Sequence, residues 1–148
     1  FIDENQIQYE AKITDFNKTS LTADIIKQYP SFRLPDFDIT VAQCVLKQDA
    51  EFSAIQKATE LGAKIIIPLI SENCALKGSV IEAKAEKFQK IADESVKQCE
   101  RADFPQVLKP VKIDEFLKNN INRYDYILAF SEREKTYGIK KFFSEKNS

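Results

Sequence analysis

Histidine and methionine are absent from this sequence, and glycine occurs only at Gly62, Gly78 and Gly138. Without histidine there is no imidazole base, no Ser-His-Asp triad and no histidine-held metal. Carboxylates and lysines remain as the bases on offer. With no methionine in the sequence, Phe1 is not expected to be a natural start, and the chain is expected to be a piece of a longer protein. Cysteine is sparse too. Cys44, Cys74 and Cys99 form an odd, widely spaced set that fits neither a disulfide framework nor a zinc site, and they read as reduced packing residues of a cytoplasmic protein. Charge of one sign is also missing: 22 basic against 23 acidic residues leave a net −1. Nucleic-acid binders usually carry a basic excess, so such a partner would need a local basic patch or a basic stretch elsewhere in the protein. No apolar run reaches the length of a membrane span, and no signal peptide is visible.

What is present suits a globular protein. Hydrophobic residues make up 43% of 148 positions, and eleven Phe with five Tyr supply bulky core surface. That length holds one ordinary domain, or a small domain with a fragment of another.

Two rhythms divide the chain. Over residues 7–28, Ile7, Tyr9, Ala11 and Ile13 alternate, a turn-like stretch follows at Asp15, Asn17 and Lys18, and Leu21, Ala23 and Ile25 repeat the pattern. This predicts a β-hairpin, which is marginal alone and is expected to belong to a larger sheet or barrel. Pro30 and Pro35 mark a boundary near residues 30–37. Beyond it, strands alternate with helices. Ile39–Leu46 reads as a strand and residues 50–61 as a helix stopped by Gly62. Ala63–Ile70 is an apolar run of the kind buried on both faces of a parallel sheet. One long helix is predicted over residues 80–102 from the stripe Ile81, Ala85, Phe88, Ala92, Ser95 and Cys99. A short strand at Gln106–Leu108, a short helix at Ile113–Lys118 and a buried strand at Tyr124–Phe130 complete a parallel sheet flanked by helices.

The strings Gln56-Lys57-Ala58-Thr59-Glu60-Leu61-Gly62 and Ile67-Pro68-Leu69-Ile70-Ser71-Glu72 are followed by a helix bearing Glu94, Gln98 and Arg101, then by Pro105 and Pro110. This succession resembles the RsmE family of bacterial 16S ribosomal RNA methyltransferases, over about residues 38–130. The resemblance implies the SPOUT class of α/β knotted folds and methylation of uridine N3 with S-adenosyl-L-methionine. Residues 1–36 would be the remnant of an RNA-binding PUA-like barrel. Residues 37–148 would be the first part of the methyltransferase domain, with the knot and the glycine-rich IGPEGG-type cofactor loop lying outside this chain. The cofactor site is therefore expected in the missing C-terminal segment, and the fragment alone is expected to be inactive. A homodimer acting on the small ribosomal subunit is implied, without metal or membrane. Where the family reads SERS, this chain has Ser71-Glu72-Asn73-Cys74, so a basic side chain is lacking there.

The resemblance implies RNA-binding or cleft-lining roles for Gln56, Lys57, Glu60, Glu72, Gln98 and Arg101, and it assigns no catalytic base. From spacing alone, Lys57 and Glu60 form an ordinary i, i+3 ion pair. Glu94, Gln98 and Arg101 share one helix face that could simply be solvated. Arg101, at the helix end, is the foremost candidate to touch RNA, and an ion pair with Glu94 or Asp103 is its alternative. The alternative function is an RNA-binding or dimerisation module without activity.

Overall fold

The computed structural model describes residues 1–3, 5, 7–29, 35–72, 74, 78–131 and 133–146. Most of the expected boundary at 30–37 lies outside the described residues, as does Asn73. The chain begins with the hairpin that the alternation predicts: β1 (Gln8–Phe16) pairs antiparallel with β2 (Leu21–Tyr29). Asn17 builds its turn, the side-chain Oδ1 accepting from the Thr19 and Ser20 amides at 2.9 Å each. Across the strands Ala11 faces Ile25, Ile13 faces Ala23 and Phe16 faces Leu21. These apolar pairs stay open to solvent: Phe16 is 76% and Ile25 59% exposed.

A parallel sheet follows. Strand β3 (Thr40–Cys44) pairs with β4 (Ile65–Ile70). The other edge of β4 is shared by two short strands, β5 (Gln106–Val107) against Ile65 and Ile66, and β6 (Val111–Lys112) against Leu69 and Ile70. Pro110 has no amide to donate, which accounts for the interruption between them. Alternate residues of β4 feed two cores. Ile66 and Ile70 pack with Ile55, Ile81, Phe88 and Ala92 on one face, and Ile67 and Leu69 pack with Phe116 on the other.

Helix α1 (Gln48–Glu60) crosses from β3 to β4 and lies against α3 (Ala85–Cys99), with Phe52 and Phe88 edge-to-face at 6.4 Å. Gly62 ends the α1 turn at φ +95°, a left-handed conformation. A side chain there would also collide with the Pro35 ring, whose Cγ lies 2.7 Å from an added Cβ. The second face of the sheet is covered by α4 (Ile113–Asn120), which leads into a 3-10 turn at Ile121–Arg123. The chain closes with α5 (Ile139–Lys146).

Two expectations are corrected. The long helix at 80–102 is divided into α2 (Gly78–Glu82) and α3 by a turn at Ala83 and Lys84. Ile81 and Phe88, 0% and 1% exposed, enter the same core cluster from either side of the break. Tyr124–Phe130 is not a buried strand; it is irregular, with Tyr126 54% and Phe130 80% exposed. Its β-prone composition finds no strand to pair with among the described residues, and a strand needs a partner. No described helix is long and apolar enough to cross a membrane.

Candidate functional site

Helices α1 and α3 pack through their apolar stripes, so the polar residues beside those stripes meet at the rim. There they form an open cleft of about 320 Å³, lined by Gln56 from α1 and by Ile91, Glu94, Ser95, Lys97 and Gln98 from α3. Spacing explains the convergence: residues 94, 97 and 98 occupy one side of α3. Ser95 is buried with its hydroxyl donating to the Ile91 carbonyl at 2.7 Å, while Glu94 and Gln98 are exposed.

On α1, one carboxylate organises its neighbours. Glu60 accepts from Lys57 Nζ at 2.6 Å and from Gln56 Nε2 at 2.7 Å. The Lys57 hydrogen bond, aided by that from Gln56, holds the Glu60 carboxyl below its usual range. Gln56 is thereby oriented at the cleft wall, and Lys57 and Glu60 stand beside it. Glu94 has no side-chain partner among the described residues, so its carboxylate is available to an incoming group. Glu72 is exposed on the loop after β4 and is not among the residues lining the cleft. Loops at the carboxyl ends of parallel strands are where α/β folds usually place ligands.

Arg101 is elsewhere. It is 3% exposed, and its fork is used inside the protein. Nε and Nη2 clamp the Asp103 carboxylate at 2.6 and 2.8 Å. Nη1 donates to the carbonyls of Thr59 and Ala63 at 2.6 and 2.9 Å. Of the two readings open in the sequence, this geometry is the ion pair with Asp103. Arg101 ties the segment leading out of α3 to the Ala63 carbonyl and to the last turn of α1, where the Thr59 carbonyl also accepts the Gly62 amide at 3.1 Å.

Sequence reasoning passed over Glu51 and gave Glu94 no role. The alternation of α1 could flag Glu51 only as an acid in a first helical turn. In the fold it is 2% exposed and accepts the Leu46 amide at 2.8 Å, fixing the β3–α1 connection. Burial pushes its carboxyl upward against the opposing effect of that hydrogen bond.

Against known proteins, residues 33–148 match the family described as RNA methyltransferase domain. The ribosomal RNA small subunit methyltransferase E of Aquifex aeolicus is 32% identical over 117 residues, 78% of this chain and 50% of that protein. Its counterpart in Rickettsia conorii is 32% identical over 128 residues, 86% of this chain and 49% of that protein. Among solved structures, a ribosomal RNA small subunit methyltransferase E from Neisseria gonorrhoeae bound to S-adenosyl methionine superposes with a TM-score of 0.66. It is 26% identical, and the match covers 78% of this chain and 48% of that one. The chain thus spans about half the length of the curated relatives it matches. With most of the chain inside the family's match, and with the parallel sheet and its helices in place, the chain belongs to the RNA methyltransferase domain family.

Proposed function

We propose that the protein carrying this chain methylates N3 of a uridine in 16S ribosomal RNA, using S-adenosyl-L-methionine, and that it works in the cytoplasm as a homodimer. Family membership and the names of the relatives support this reading. The single observation that carries it to residues is the meeting of Gln56 with Glu94 and Gln98 in one cleft, since both glutamines were expected to face the substrate.

The described residues do not by themselves fit the methyl donor. The space beside Gly62 is filled by Pro35, and a side chain at Gly138 would meet nothing within 4 Å, so neither forms a cradle for a ligand. This chain's share of the work is accordingly placed on the RNA side. Amides of Gln56 and Gln98 can pair with base edges or sugar hydroxyls exposed on an unstacked nucleotide. Glu94, with no hydrogen-bond partner among the described residues, is the carboxylate placed to accept from an N–H, whereas Glu60 is occupied by Lys57 and Gln56. Lys57 and Lys97 supply positive charge at the rim for the phosphates. Residues 1–36 are assigned to the remnant of an RNA-binding barrel and residues 37–148 to the first part of the methyltransferase domain. Glu72, beyond the end of β4, is retained as a contact for the RNA.

The test uses the full-length protein, small ribosomal subunits from a strain lacking it, and labelled S-adenosyl-L-methionine. Mass spectrometry of nuclease fragments is expected to locate the label on N3 of one uridine in 16S RNA. Label on another base, or none in RNA, would overturn the proposal.

A further inference from the structure

A run of cations in the described chain lies far from the cleft residues in sequence. Residues 133–146 carry five cations (Arg133, Lys135, Lys140, Lys141 and Lys146) against two carboxylates (Glu134 and Glu145), a net +3, or +2 when the preceding Glu132 is counted. With −1 for the whole chain, all other residues together carry −4.

Both carboxylates of this segment are already engaged. Glu134 accepts from the amides of Thr136 and Tyr137 at 2.7 and 2.9 Å and from the Thr136 hydroxyl at 2.8 Å, a turn that holds its carboxyl at about 2. Glu145 accepts from the Tyr137 hydroxyl at 2.6 Å. Arg133, Lys135 and Lys140 consequently have no carboxylate partner among the described residues. Aromatic rings are interleaved with the cations. Lys141 lies 5.2 Å above Tyr137 and Lys146 lies 5.3 Å above Tyr126. On α5 only Phe142 turns inward, edge-to-face with Tyr126 at 5.5 Å. Phe143 and Tyr137 stay 45% and 44% exposed.

We propose that residues 133–146 are a binding surface for single-stranded RNA. Lys135, Lys140 and Lys141 would neutralise successive phosphates while Tyr137 and Phe143 stack on bases. Such a contact is tolerant of sequence, because every base offers a π face. It rests on the RNA substrate proposed above and adds a second surface to it, supplying the local basic patch that the overall charge lacks. A membrane surface is the weaker fit, since α5 has only eight residues and commits Phe142 to Tyr126.

The experiment is fluorescence anisotropy of a labelled oligouridylate of about twelve nucleotides with the 148-residue chain, at about 50 and 200 mM salt. The Lys140→Glu/Lys141→Glu variant is expected to bind at least about ten-fold more weakly, with a salt slope shallower by about 1.4. Phe143→Ala is expected to lose about three- to ten-fold through stacking. Circular dichroism confirms folding, and Lys140→Gln/Lys141→Gln replaces the charge reversal should it unfold. Binding within two-fold of the parent by these variants would overturn the inference, as would no RNA binding by the parent chain. Lysine-dependent capture by phosphatidylserine vesicles with RNA affinity unchanged would also overturn it. In the full-length protein, intact uridine methylation together with unaltered RNA affinity of the variants defeats this surface alone. Absent methylation by the unsubstituted protein defeats the functional reading instead.

Discussion

Strand β4 and the β1–β2 hairpin are both rich in β-branched residues, yet Ile66 of β4 is 2% exposed while Ile25 of the hairpin is 59% exposed. The two isoleucines have the same intrinsic preference for a strand. What separates them is company: β4 has strands on both edges and helices on both faces, whereas the hairpin has, among the described residues, only the short Ile2–Gln8 bridge beside its own pairing. Composition therefore set the local conformation in both places, and packing decided which one contributes a core.

The largest effect that would sharpen this contrast is Phe88→Ala. It should cost about 3–5 kcal/mol by opening a cavity between α1 and α3, while Phe16→Ala in the hairpin should stay within about 0.5 kcal/mol. Urea denaturation of both variants checks the pair, and equal losses would break the comparison. Arg101→Ala comes next, at about 3 kcal/mol, because the Asp103 carboxylate and the Ala63 carbonyl lose this partner and the Thr59 carbonyl keeps only the Gly62 amide. The melting temperature should fall, with RNA affinity of the folded fraction unchanged. A drop in RNA affinity without a loss of stability would restore Arg101 to the RNA surface. Gly62→Ala should cost about 1–3 kcal/mol through its positive φ and the collision with Pro35. A neutral effect would mean that the α1–β4 turn relaxes freely.

The smallest effect concerns Glu60. Its carboxyl titrates lower in the fold than its ordinary value of 4.5, so its contribution is present above pH 4.5 and is lost as pH falls through the lower, folded value. The difference in melting temperature between the parent and Glu60→Gln should hold from neutral pH to just above 4.5, then shrink below it. A difference that grows in acid would contradict the hydrogen-bond arrangement on α1.

Periodicity made the hairpin and α1 legible, because each has an apolar face that matches its own repeat, and β4 was legible as an unbroken apolar run buried on both faces. It did not expose the division of the 80–102 helix, because Ala83 and Lys84 are ordinary helix residues and Ile81 and Phe88 keep one core face on either side of the turn. Nor could it show that Tyr124–Phe130 lacks a strand partner, since pairing is non-local. At the site, the i, i+3 and i, i+4 spacings were enough to place Lys57 with Glu60 and Glu94 with Gln98. The inward turn of Arg101 was not readable, because the carbonyls it caps belong to residues 42 and 38 positions away.

The central claim is that the rim between α1 and α3 serves the RNA, and one variant of the full-length protein addresses it. Gln56→Ala/Gln98→Ala should lower kcat/KM for methylation of small-subunit RNA by about ten-fold or more, since two substrate contacts are removed together. Both side chains are exposed, so the melting temperature should stay within about two degrees of the parent. An unchanged kcat/KM in a folded variant would contradict the account.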